Sequence, residues 1–394
     1  MPALPAFCHR PRDLSRGAVL TLAFLAAVGT AGTMGCWDRE DAAAAALSGR
    51  TGATAPEAPR AAGTADREAV ARAAAEAVAE GKSGKKAAQE VVSRSGDRWG
   101  TVYDQGEYAA FTEGLDGHWT GVGLWALRGG DGRITVDKVQ PAGPAARAGL
   151  RAGDRLLSVD GHAVTGLAVA DVISLLRGEA GTPVVLNLSR DGADLTETVR
   201  REQLRTEPVT VRQLSGGITV IKVASFTRGS GERVRAAVRA APPGAGVMLD
   251  LRGNPGGLVA EAVTAASAFL DGGLVATYDV RGDQRALYAE PGGDTARPLV
   301  ALVDGGTMSA AELVTGALQD RGRAVAVGSR TFGKGSVQMP TELPDGSVAE
   351  LTVGTYRTPG GRSLDGSGIT PDLAAGEGVE ERAAQVLGGL GVGP

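Results

Sequence analysis

Through the second half of the chain, short apolar runs alternate with longer stretches that carry apolar residues at helical spacing. The runs at 218–223, 247–251, 299–303 and 324–327 have the length of strands, and the stretches at 230–240, 258–270 and 309–319 read as helices between them. Strands apolar on both faces, alternating with helices, predict an α/β layered core whose chemistry belongs in the turns at strand ends. From Gly121 the pattern differs. GVGLWAL, ITVDKV, RLLSVDG, VVLNLSR and LTETVRR are short strand-like runs separated by turn residues, with one helix candidate, VADVISLLRG, among them. Earlier still, 66–95 is rich in helix formers, with Val70, Ala73, Ala77 and Val78 at helical spacing and a break at 81–84. Two short helices that pack or dimerise, without chemistry of their own, are expected there.

Arg10, Arg12 and Arg16 precede an almost uncharged run from Gly17 to Gly35, the pattern of an export signal. The run is also long enough to stay in a membrane as an anchor. Thr33-Met34-Gly35-Cys36 resembles a lipoprotein cleavage box, so cleaved signal, signal-anchor and lipidation at Cys36 all stay open. On each of these the remainder is extracytoplasmic, either secreted or in membrane contact through the N-terminal segment. Residues 38–65 hold few large apolar side chains and read as a flexible tether. The expected organisation is signal or anchor 1–36, linker 37–65, helical region 66–119, strand-rich module 120–204, catalytic core 205–385 and tail 386–394.

Composition narrows the chemistry. The formal net charge is −4 and the basic residues form no block, which argues against nucleic acid as a partner. The histidines are His9, His118 and His162 and the cysteines Cys8 and Cys36, so nothing after His162 has an imidazole or thiol within its own half. A nucleophile there needs another base. After Thr206 the lysines are Lys222 and Lys334, and serine with lysine is one variant of the nucleophile–base pair. No His, Cys and carboxylate cluster has ligand spacing, so neither a metal nor another cofactor is expected.

The stretch from Asp304 to Gln338 supplies both partners. Ser309 stands where a Gly-rich turn becomes an Ala-rich helix, and Lys334 lies inside a second Gly-rich turn beyond a short strand. Ser309-Ala-Ala-Glu312 also matches a capping box, which would make the serine a helix cap and nothing more. Lys334 has an equally plain reading as a solvated loop lysine. Gly305 and Gly306 before the serine, and Gly333 and Gly335 around the lysine, favour the catalytic reading, because glycine serves where backbone must approach another group closely. Gly328 to Lys334 also fits the opening of a phosphate-binding loop, but Gly335 stands where Ser or Thr is needed and no helix pattern follows. A third Gly-rich turn, from Asp250 to Gly257, runs into a helix, where N–H groups suit a developing oxyanion or a phosphate.

Two resemblances rest on these residues. Gly121-Val122-Gly123-Leu124, the stretch PAARAGL from Pro144, Gly153-Asp154 and Val159-Asp160-Gly161 resemble a PDZ domain over about Thr120 to Glu202. The resemblance implies that a peptide tail adds as a strand, that N–H groups of Val122, Gly123 and Leu124 hold its carboxylate, and that Val172 lines the pocket for the last side chain. DLRGNPGG, DGGTMSAAE, TFGKGSVQ and YRTPGGRSLDGSGITPD, in that order behind a PDZ domain and an export signal, resemble the C-terminal processing peptidases, also called tail-specific proteases. This second resemblance implies a layered ββα, crotonase-like core with Ser309 as nucleophile, Lys334 as base and Gln338 holding the lysine amine. It further implies oxyanion donors at Gly256, Gly257 and Ala310, and support from Asp250, Arg252, Glu312 and Thr331. Thr307-Met308 departs from the Ser and small residue usual in the family. The implied activity is serine endopeptidase cleavage near the unstructured C-terminal tails of exported proteins. For that, Lys334 must lose its charge near pH 7, which burial would favour. The alternative is an exported PDZ binding protein on a core that has lost its reaction.

Overall fold

The structure is a computed structural model that describes residues 64–391 apart from 130–131, 168 and 281–282; the expected signal and tether lie outside the described residues. The described chain divides into two compact units, one of residues 119–205 and one that joins 64–118 to 206–391.

In the larger unit, Val209–Leu214, Ile218–Val223, Gly246–Asp250, Leu299–Val303, Val325–Gly328 and Leu373–Ala374 form a six-stranded sheet in that order. The first pair is antiparallel and the rest are parallel. Gly246–Asp250 and Leu299–Val303 are buried at every position, which is why they read as unbroken apolar runs. One face sets Ile221, Leu249 and Leu251 against Val234, Ala262, Val314 and Leu318 of the helices Ser230–Ala240, Val259–Ser267 and Ala310–Asp320. Each leucine buried in this way contributes roughly 1.5–3 kcal/mol. The other face, with Val220, Met248, Val300 and Leu302, is covered by Ala383 and Leu387 of the helix Val379–Gly389. That helix runs past 385, so residues 386–389 of the expected tail belong to the core's outer layer.

A second sheet was not legible as a pattern. Thr101–Tyr103, Val348–Arg357, Leu274–Val280 and Asp283–Tyr288 pair in that order, and Ser336–Glu342 also pairs with Val348–Arg357. Val337 and Tyr356 of this sheet share one core with Val314 and Leu318, so the helix Ala310–Asp320 is held between two sheets. The two expected N-terminal helices are Arg67–Ala79 and Gly84–Ser95, begun by caps on Asp66 and Ser83. They bury Val70, Ala74, Ala88 and Val92 against Val102, Leu343, Ala349 and Leu351. The loop after them carries Asp97 to Thr352 and Trp99 to Lys334.

In the smaller unit, Leu124–Arg128, Ile134–Val139, Arg155–Val159, Pro183–Arg190 and Ala193–Arg200 form an antiparallel sheet, with His162–Ala163 paired to Arg155–Val159. Among the described residues Leu124–Arg128 has a neighbour on one side only, which leaves an edge to which an extended peptide can add. Gly123 takes φ 78° at the start of that edge. Val172, on the helix Val169–Leu176, is completely buried with Val122 and Leu124 in the core. Its side chain therefore does not line an open pocket, contrary to expectation.

Candidate active site

The turns after Gly246–Asp250 and Leu299–Val303 follow neighbouring parallel strands, where open α/β sheets hold their sites. Hydrogen bonds stitch these turns together. Asp304 Oδ1 accepts from the N–H groups of Gly253 at 2.8 Å and Gly306 at 2.9 Å, while Thr307 Oγ1 donates to the Leu251 carbonyl at 2.9 Å. The Met308 N–H donates to the Asn254 carbonyl at 2.9 Å. Thr307, unusual for the resembled pattern, is thus fully engaged. The outcome is a close approach of backbone to side chain. A Cβ on Gly256 would stand 3.0 Å from Ser309 Cβ and 3.2 Å from Ala310 N, and the residue has φ 101°, so glycine is required there.

Behind the turn, Asp250 accepts from Arg252 and Lys222 at 2.6 to 3.3 Å. Burial would push its carboxyl up, but Arg252 and Lys222 outweigh burial and hold it below its usual value. Arg252 continues to Glu380 at 2.7 Å, and Lys222 Nζ also donates to the Arg252 carbonyl. Asp250 and Arg252 therefore brace the glycine turn from outside.

Ser309 adopts φ 52° and ψ −119°, a conformation that costs a side-chain-bearing residue roughly 1–3 kcal/mol. Its capping box is half formed. The Ser309 N–H donates to Glu312 Oε2 at 2.9 Å, whereas the Glu312 N–H goes to the Ser309 carbonyl at 2.8 Å. The hydroxyl caps nothing, and Oγ is buried without a partner among the described residues. A serine present only to cap would have made the opposite choice.

Glu312 gathers the site. It is fully buried and accepts from Thr331 Oγ1 at 2.5 Å, Gly333 N–H at 2.8 Å, Lys334 N–H at 2.8 Å and Ser309 N–H at 2.9 Å. Burial raises the Glu312 carboxyl above its ordinary value, and these four donors oppose the rise. Oε2 alone receives the N–H groups of both Ser309 and Lys334, so the two backbones converge on one oxygen. Gly335 permits the fit, since a Cβ there would lie 2.3 Å from Asp365 N, while a Cβ on Gly305 would meet nothing nearer than the Arg330 carbonyl at 4.0 Å. The glycine argument therefore holds for one of these two and not the other.

Lys334 is 1% exposed and its Nζ lies 5.0 Å from the centroid of the Trp99 ring. Burial lowers its pKa to about 8, against the opposing charges of Glu350, Asp97 and Glu312. Two expectations need correction. Gln338 does not hold the lysine amine here: its Nε2 donates to Ser336 Oγ at 2.7 Å and Thr352 Oγ1 at 3.4 Å, because the strand register sets Gln338 opposite Thr352. Gln338 Oε1, the atom that could accept from an amine, has no partner among the described residues. Gly256 is not a free oxyanion donor either, since its N–H is engaged by Asn254 Oδ1 at 2.8 Å. The donors left are Gly257 and Ala310, the latter the first residue of its helix, where N–H groups lack an intrahelical acceptor.

Asp97, Trp99 and Glu350 were missed by sequence reasoning; the one signal available was an isolated carboxylate in the run SVAELTVG. Among the described residues no three His, Cys, Asp or Glu side chains converge as a metal site would, and no helix is long and apolar enough to cross a membrane.

Comparison with known proteins adds to this geometry. The family model described as Peptidase family S41 matches residues 217–375, and a PDZ domain model matches 135–190. Carboxy-terminal processing protease CtpA of Bacillus subtilis (strain 168) is 33% identical over 284 residues, covering 71% of this chain and 61% of that protein. The chloroplastic C-terminal processing peptidase of Tetradesmus obliquus is 38% identical over 288 residues, covering 67% of this chain and 62% of that protein. The chain thus spans less than two thirds of the length of these relatives. Among solved structures, the photosystem II D1 C-terminal processing protease is 32% identical with a TM-score of 0.52, covering 75% of this chain and 82% of that one.

Proposed function

From a chain that belongs to the carboxy-terminal processing peptidases of family S41 and carries a PDZ domain, we propose a serine endopeptidase that cleaves exported proteins near unstructured C-terminal tails. Lys334, once uncharged, takes the proton of Ser309 Oγ, which attacks a peptide carbonyl. The N–H groups of Gly257 and Ala310 receive the oxyanion that develops. Lys334 returns the proton to the leaving amine, and the acyl-enzyme that remains is hydrolysed by a water that Lys334 activates. The observation that carries this reading is the single Glu312 oxygen bonded to the N–H groups of both Ser309 and Lys334, beside an unpartnered Ser309 Oγ.

In this arrangement the lysine amine rests on Trp99, so its side chain must turn toward Oγ while Glu312 keeps the backbone in place. The open edge of Leu124–Arg128 and the N–H groups of Val122, Gly123 and Leu124 take up the substrate's terminal residues and carboxylate. The N-terminal segment provides export and, if retained or lipidated, membrane contact. Cleavage of an unstructured protein with an apolar C-terminus, followed by mass spectrometry of the fragments, tests the reading. Ser309→Ala and Lys334→Ala should each lower activity by about 10⁴-fold or more. Activity retained in both variants would overturn the Ser309–Lys334 assignment, and a parent that leaves the substrate intact would leave only a tail-binding role.

A further inference from the structure

Three carboxylates act on Lys334: Glu350, Asp97 and Glu312. Their own hydrogen bonds differ sharply. Glu312 is occupied by four donors. Asp97 accepts from Trp99 N–H at 3.1 Å, Gly100 N–H at 2.9 Å, Thr352 N–H at 2.9 Å and Thr352 Oγ1 at 2.7 Å. Glu350 is 1% exposed, and neither of its carboxylate oxygens has a hydrogen-bond partner among the described residues. A buried carboxylate without donors costs several kcal/mol unless another charge compensates it. The charged group that acts on Glu350 is Lys334.

The sheet explains how Glu350 comes to lie on the face that the Asp97–Trp99 loop joins to Lys334. Glu350 is the third residue of Val348–Arg357, opposite Thr101 on one neighbour and Pro340 on another, with no bulge between it and Thr352. Alternation therefore points Glu350 to the same face as Thr352, which bonds Asp97 and Gln338. The apolar residues between and before them, Leu351 and Ala349, turn the other way, onto the N-terminal helices. Tyr103 and Tyr108 also feel Glu350; burial first and this carboxylate next raise both phenols.

We propose that Glu350 is a positioning residue of the dyad: its carboxylate is the buried counter-charge that keeps Lys334 protonated at rest and so sets the pH at which the lysine becomes a base. This rests on the Ser309–Lys334 reading. Burial raises Glu350 to about 7 while it lowers Lys334 to about 8, so the pair stays charged against its surroundings only by a narrow margin. The pH dependence of kcat/KM distinguishes the role from mere packing. In the parent the acid limb should have its midpoint near 8. Glu350→Gln should move that limb about one pH unit to the acid side, a tenfold larger fraction of plateau activity on the limb. Glu350→Asp, which keeps the charge, should restore the limb toward the parent.

Superimposable parent and Glu350→Gln profiles would overturn the proposal. A stability cycle guards against a variant too unstable to assay. Lys334→Met should lower Tm at pH 8 by leaving the carboxylate uncompensated, and adding Glu350→Gln should recover part of the loss. Strict additivity would overturn the counter-charge role as well. Loss of activity in Ser309→Ala and Lys334→Ala with unmoved profiles and additive Tm values would remove this inference alone. Full activity in those two variants would remove the Ser309–Lys334 reading, and the Tm cycle would still decide on the counter-charge.

Discussion

The Ser309 side and the Lys334 side of the candidate site are built on opposite principles. Around Ser309 every supporting polar group is engaged: Asp304, Thr307 and Glu312 each tie one turn to another, and Asn254 Oδ1 closes its own turn on Gly256. Around the Lys334 side chain, Gln338 Oε1 and both Glu350 oxygens have no hydrogen-bond partner among the described residues. A saturated network fixes a single geometry, whereas free buried acceptors permit a side chain to change place. The serine thus stands in a rigid frame, and the lysine is anchored by its backbone with its amine left adjustable.

The comparison is sharpened most by treating the two buried glutamates alike. Glu312→Gln replaces an acceptor of four donors with an amide that turns N–H toward N–H. It should lower stability by about 2–4 kcal/mol and kcat by about 100-fold, as Ser309 and Lys334 lose their common oxygen. Glu350→Gln removes a carboxylate that no donor contacts, and its loss should be under about 1 kcal/mol at pH 7. Calorimetric Tm values for the pair check this. Equal losses would mean that both sides are equally rigid.

The same contrast explains what could be read in the sequence. Ser309, Lys334 and the turn at Gly256 announce themselves locally, through glycines within a few residues and through the absence of histidine downstream. Glu350 announces nothing, because Val348, Glu350 and Thr352 alternate with Ala349 and Leu351 as a half-exposed strand would. All five residues are buried in the fold, since the N-terminal helices cover one face and the lysine's surroundings cover the other. That second burial depends on Asp97 meeting Thr352 across 255 positions of sequence, a contact that no local pattern encodes. Gln338 was assigned by resemblance alone, and the register that turns its amide to Ser336 and Thr352 is set by pairing the sequence does not display.

The adjustable side also predicts how stability responds to pH. Glu350, at about 7 in the fold against an ordinary 4.5, binds its proton more tightly when folded, so its contribution is present below pH 4.5 and lost as pH rises through 7. Lys334, at about 8 against 10.5, contributes above pH 10.5 and loses that contribution as pH falls through 8. Together they give a trough in stability between about pH 7 and 8. Tm measured from pH 5 to 10 should show it. Glu350→Gln should flatten the acid-side slope, and a parent-minus-variant difference without slope below pH 7 would contradict the shift assigned to Glu350.

The smallest effect tests how far the rigid side extends. Arg252 joins Asp250, behind the Gly256–Gly257 turn, to Glu380 on the helix Val379–Gly389. Glu380 also pairs with Arg212 at 2.6 Å, and both arginines hold its carboxyl below the usual range. Its side chain is 31% exposed, so water screens much of the attraction and Glu380→Gln should cost less than about 1 kcal/mol. Asp250 keeps Arg252 in place from the buried end, so kcat should fall by no more than about threefold. A much larger fall with unchanged Tm would show that the outer helix positions the Gly256–Gly257 turn, and would move the boundary of the rigid frame from Asp250 out to Glu380.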